Sequence, residues 1–141
     1  MLPYAARWLW TVLITTAVVG FAFTLFGCAS LGPSSPVAVS DIKSVAGTWK
    51  GVLYGPGSEQ KNVELTIRED GSYDVVSQQI YGASRGKGKI EISEGRLILR
   101  GERGRGVATV HSDRAGDRVM NVEATLSDNT ILSARLWPSP D

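Results

Sequence analysis

Hydrophobic and polar positions divide this chain into two unlike parts. From Trp8 to Phe26 no residue carries a charge, and the run is preceded only by Arg7 and the terminal amine. As a helix rising about 1.5 Å per residue it would just reach across a bilayer core of roughly 30 Å. After residue 45 the pattern changes to short runs of period two, separated by turn signals. In "NVELTIRED" Val63, Leu65 and Ile67 alternate with Asn62, Glu64, Thr66 and Arg68, which predicts a strand with one apolar and one wet face. Asp70-Gly71 then marks a hairpin into "DGSYDVVS", because this pair tolerates the positive backbone angles of a tight turn. "GKGKIEIS" places Ile90 and Ile92 on one face, and Glu94-Gly95 turns the chain into "RLILRG" with Leu97 and Leu99 inward.

Four more runs complete the set: "GTWKGVLY" (47–54), "GVATVHS" (106–112), "RVMNVEATL" (118–126) and "TILSARLW" (130–137). Met120, Val122, Ala124 and Leu126 share one face of the seventh run, and Leu132, Ala134 and Leu136 share one face of the eighth. The sixth leaves two choices open, with either Val107 and Thr109 or Ala108 and Val110 inward. Eight short strands at near-regular spacing predict an all-β domain, a small eight-stranded antiparallel up-and-down barrel following an N-terminal hydrophobic segment. No run after Val45 has a helical period. The stretch "ASLGPSSPVAVS" (29–40) is rich in Ser, Pro and small residues and reads as a tether.

Cys28 is the only cysteine, and it closes the apolar run in "LFGCAS". "LFGC" resembles the lipobox of bacterial lipoprotein signal peptides, with Leu25, Gly27 and Cys28 at the matching positions. The resemblance implies cleavage before Cys28, acyl chains on its thiol and membrane attachment through them. Two or more chains make such attachment effectively permanent. Ala29 follows the cysteine where the inner-membrane retention signal would have aspartate, so the resemblance implies an outer-membrane lipoprotein facing the periplasm. The expected organisation is a signal peptide at 1–27, a lipidated cysteine and tether at 28–44, and a barrel domain at 45–138. The same residues also fit an uncleaved signal anchor with an incidental cysteine.

"SVAGTWKG" carries a second resemblance. Gly47, Thr48 and Trp49 resemble the glycine-x-tryptophan signature of lipocalins and the wider calycin group of up-and-down barrels. The resemblance implies that Trp49 plugs one end of the barrel, that Gly47 is structural, and that a basic side chain from the last strand, Arg135, lies over the indole. It also implies a site for a small hydrophobic or amphipathic ligand, for which Trp49, Tyr54, Tyr73 and Tyr81 are the candidate lining aromatics.

Charge and chemistry narrow the remaining options. Of fifteen Lys and Arg only Arg7 precedes Cys28, so fourteen basic residues face fourteen acidic ones in the remainder. This balance gives no electrostatic case for nucleic acid. One histidine, His111, and scattered carboxylates offer no catalytic constellation, no metal-ligand spacing and no cofactor motif. "GASRGKGK" lacks the order of a phosphate loop. The stretch from Arg85 to Arg105 holds seven basic residues against Glu91, Glu94 and Glu102, either a solvated strand face or a face for anionic headgroups. Two functions stay open: a binding module that is not an enzyme, or a filled barrel that acts through "YGPGSEQK" and "GERGRG" on a periplasmic protein partner. The volume inside the barrel separates them.

Overall fold

The computed structural model describes residues 34–57, 59–79 and 82–140. Cys28, the apolar run before it and Tyr81 lie outside these residues. Nine strands form: β1 (Ser35–Val37), β2 (Gly47–Tyr54), β3 (Gln60–Ile67), β4 (Ser72–Gln79), β5 (Gly82–Ser93), β6 (Arg96–Gly101), β7 (Gly104–Ser112), β8 (Arg118–Leu126) and β9 (Ile131–Pro138). Each of β2 to β9 pairs antiparallel with its neighbour in sequence, and β9 returns to β2, so eight strands close into an up-and-down barrel. Closure removes the free edges that would invite edge-to-edge association. A 3₁₀ turn at Ile42–Ser44 precedes the barrel.

Side-chain alternation fixes what fills it. Trp49, Leu65, Ile67, Leu97, Val110, Met120 and Leu136 are all buried, and they come from inward positions on six strands. Among the described residues no polar or charged residue is buried. On β7 the inward pair is Ala108 and Val110, while Val107 faces out. Register explains the choice: Gly106 pairs with Leu99 on one side and Ala124 on the other, which commits the even-numbered residues of β7 to the core row.

The turns use the chemistry that their sequences carry. Asp70 Oδ1 accepts from the Ser72 N–H at 2.8 Å, and Gly71 supplies φ of 83°. Glu94 and Gly95 both have positive φ, as a two-residue turn matched to strand twist requires. Gly51 and Gly88 have a different role. A Cβ on Gly51 would stand 1.9 Å from the Arg135 carbonyl oxygen, and one on Gly88 would stand 2.1 Å from that of Arg100. Neighbouring backbones cross where these side chains would be, which allows the sheet to coil tightly enough to close.

The chain ahead of the barrel is more structured than its composition indicates. β1 pairs with the last residues of β7, Val37 opposite Val110, beyond the point where β6 begins. Val39 is buried in the core and donates its N–H to the Gly95 carbonyl at 2.9 Å. Residues from Ser35 onward therefore belong to the fold. The unit Pro33–Asp141 contains every strand of the closed barrel together with its described core.

Candidate ligand cavity

The two ends of the barrel are built differently. At the end where β2 begins, Trp49 is buried and its indole N–H donates to the Val45 carbonyl at 2.9 Å, tying the plug to the turn before the strand. The Asp41 carboxylate caps the 3₁₀ turn by accepting from Lys43 N–H at 3.1 Å. Arg118, at the start of β8, lies with its guanidinium carbon 5.7 Å from the indole centroid and donates to the Ser44 carbonyl at 2.6 Å. Val39, Val45 and Met120 complete this closed end.

Arg135 does not cover Trp49. Ala134 and Leu136 point inward, so alternation turns Arg135 outward, where it stacks on Trp137 at 5.6 Å. The basic partner of Trp49 comes from β8 instead of the last strand.

Toward the opposite end, where β2, β4, β6 and β8 finish, the inward side chains are smaller and fewer. Here the barrel holds a cavity of about 210 Å³. Its walls come from Leu53, Val63, Val75, Val122, Leu132 and Ala134, with Tyr73 on one side. Ala124 and Ala134 leave the space, whereas Gly51, Gly86 and Gly88 do not: a Cβ on Gly86 would stand 3.0 Å from Val75 Cγ1, and neighbouring backbone occupies the place of the other two. At roughly 30 Å³ for a water-sized group in a liquid, the cavity has room for about seven such groups. Ser77, Ser84 and the β6–β7 turn at Glu102 and Arg103 border it toward the strand ends.

The candidate aromatics separate on this geometry. Tyr73 is buried and lines the cavity, and burial pushes its phenol above the ordinary value of 10.0. Trp49 belongs to the closed end and does not line the cavity. Tyr54 follows inward Leu53 and points outward, exposed at 42%. Gly47 opens β2 with φ of 122°, a conformation that favours glycine. Most of the wall is aliphatic instead, and Val63, Val122, Leu132 and Ala134 belong to the inward rows that alternation marks on β3, β8 and β9.

Chemistry at the cavity is sparse. His111 sits half-buried on the outer face, its ring nitrogens 3.4 Å from the Ser34 carbonyl and 3.1 Å from Thr109 Oγ1. Among the described residues no three His, Cys, Asp or Glu side chains are grouped as a metal site would need. "GASRGKGK" is part of β5, with Arg85, Lys87 and Lys89 exposed. The whole chain matches no protein-family model, and no curated protein matches it.

Proposed function

We propose that this chain is a lipid-anchored protein of the bacterial envelope whose barrel binds a small hydrophobic or amphipathic molecule. The observation that carries the reading is the apolar cavity of about 210 Å³ above a core that fills only the closed end. A barrel acting solely through its loops has no need of that space, so the cavity favours binding over the filled-barrel alternative. Fold class alone is a weak warrant for function, and the argument rests on the cavity walls.

The size of the site sets an expected strength. Burying about seven methylene-sized groups at about 0.8 kcal/mol each yields about 5–6 kcal/mol, the range of dissociation constants near 0.1 mM. A longer chain would project its remainder past the strand ends. Attachment through Cys28 is supported by Leu25 and Gly27 ahead of it in the sequence, and Ala29 favours the outer membrane facing the periplasm. The protein acts by binding, without catalysis.

A neutral naphthalene-type fluorophore, titrated against the unit 33–141, tests the reading. Saturable one-to-one binding that octanol displaces is the expected result. Binding that does not saturate, or that no apolar competitor displaces, would sink it. The anchor is tested separately by expressing the full chain and Cys28→Ala with labelled palmitate. Label on the full chain alone, with a mature mass that starts at Cys28, is expected; an unlabelled chain that keeps residues 1–27 would make it a signal anchor.

A further inference from the structure

The cavity has apolar walls and a border of a single dominant charge. Arg103 in the β6–β7 turn borders it, together with Arg85, Lys87 and Arg105, whose exposed side chains alternate outward at the rim, against one carboxylate, Glu102. Glu102 is 3.8 Å from Lys87 and so neutralises a neighbour that is already present. Arg85, Arg103 and Arg105 form no salt bridge among the described residues. Arg103 makes a single polar side-chain contact, 3.4 Å to the Ser84 hydroxyl at the border itself. Of the other acids of this end, Glu123 faces outward on β8 opposite Val107, diagonal to Arg105, and Asp128 accepts from Thr130 N–H in its own turn; neither of them nor Glu59 lines the cavity.

A second feature runs the same way. Across β5, β6 and β7, Lys89 pairs with Arg100 and Arg100 pairs with Arg105, three outward basic side chains in one row. Like charges directly opposite each other destabilise a sheet. Among the described residues only Arg100 of the three has a carboxylate partner, Glu91 at 3.1 Å. The row reaches the border at Arg105, which adds positive charge where the cavity opens.

We propose that the ligand is an anionic amphiphile, a short apolar chain carrying a carboxylate or phosphate, with the chain in the cavity and the head held at its border by Arg103, with outward Arg105 adding positive charge beside it. This rests on the binding reading above and specifies its ligand class. Guanidinium groups suit both heads, since their paired N–H donors match two oxygens of either. An alkyl alcohol of equal length fills the same cavity without engaging the border, and an alkylamine is repelled by it.

The test displaces the neutral fluorophore from the unit 33–141, which carries the whole barrel, with octyl phosphate, octanoate, octanol and octylamine. Octyl phosphate and octanoate are expected to bind about tenfold more tightly than octanol, with octylamine weakest, and added salt is expected to reduce the difference. The double variant Arg103→Glu, Arg105→Glu should lose the anion preference while octanol displaces as before, which also shows that the variant is folded. Equal affinities for anion and alcohol, or an anion preference that survives the double variant, would overturn the proposal and leave the cavity reading standing. Failure of all four to displace the fluorophore would overturn both. The ratio of octyl phosphate to octanoate affinity identifies which head the border prefers.

Discussion

Tyr73 occupies the place of a Gly101 side chain: a Cβ on Gly101 would stand 2.7 Å from the Tyr73 hydroxyl oxygen. The two are joined along one inward row, because Tyr73 pairs with Gly88 and Gly88 pairs with Gly101. The ring therefore covers a stretch of wall where two successive strands have no side chain, as aromatic residues do over glycines in tightly coiled sheets. Gly101→Ala is expected to cost about 1–3 kcal/mol through overpacking and to press the ring toward the cavity. Removing the hydroxyl with Tyr73→Phe should relieve most of that cost, so urea titration of the double-mutant cycle should give a favourable coupling. Additive effects would show that the ring and Gly101 are independent. No such rescue is expected for Gly88→Ala, whose Cβ would meet backbone.

Arg118 and Arg135 each lie over a tryptophan, yet only one should matter to stability. Arg118→Ala removes the cation–π contact with a buried indole and the hydrogen bond to Ser44, for an expected loss of about 1–3 kcal/mol. Arg135→Ala removes a contact with exposed Trp137 and should change stability by no more than about 0.5 kcal/mol. Chemical denaturation of the two variants decides the assignment. Comparable losses would mean that the outer stack also holds the barrel together.

This pair also shows how far the sequence could be read. Alternation in β3, β8 and β9 assigned the inward rows without ambiguity, and with them the barrel. The same alternation, applied to Ala134 and Leu136, already turned Arg135 away from Trp49; the motif alone pointed to it. Arg118 gave no signal because it opens a strand, and its reach to Trp49 depends on how β8 meets the 3₁₀ turn. β1 was invisible for a different reason: three exposed residues, one of them proline, have no period, and their pairing is set by where β6 begins. The cavity was half legible. Ala124 and Ala134 on the inward rows border the open space, but a glycine in a strand does not by itself tell open space from close backbone approach, which is the role of Gly51 and Gly88.

Acid should weaken the barrel through its turns. Asp70 accepts from the Ser72 hydroxyl at 2.6 Å as well as its N–H, and Asp128 is held by the Thr130 hydroxyl and N–H. These bonds hold both carboxyls below their ordinary value of 3.8 in the folded state. A lowered folded value means that the contribution is complete above the ordinary value and is lost as pH falls through the depressed one. Urea midpoints of the native protein should therefore drop as pH falls below about 4, and Asp70→Asn with Asp128→Asn should flatten that drop. An unchanged acid profile in the double variant would place the acid sensitivity elsewhere. Tyr73 works at the other extreme: its folded value is raised, so its contribution is complete below 10.0 and is lost as the phenol ionises above it.

Filling the cavity separates ligand binding from folding. Ala124 points inward beside the space, from a strand whose neighbours Met120 and Val122 already pack on the core. Leucine at this position adds about three methylene-sized groups to a cavity that holds about seven, and it adds them inward, on the wall beside Gly106. An empty apolar space contributes no contacts to the folded state, so occupying it should leave stability unchanged or raise it by about 1 kcal/mol. Ligand loses the same volume and the same wall. Ala124→Leu should therefore weaken fluorophore binding about tenfold or more while the urea midpoint holds or increases. Loss of both binding and stability would mean that the space is already spanned by side chains moving into it, and a barrel of that kind would act through its loops. Retained binding with retained stability would put the ligand outside the barrel, on the basic row of β5 to β7.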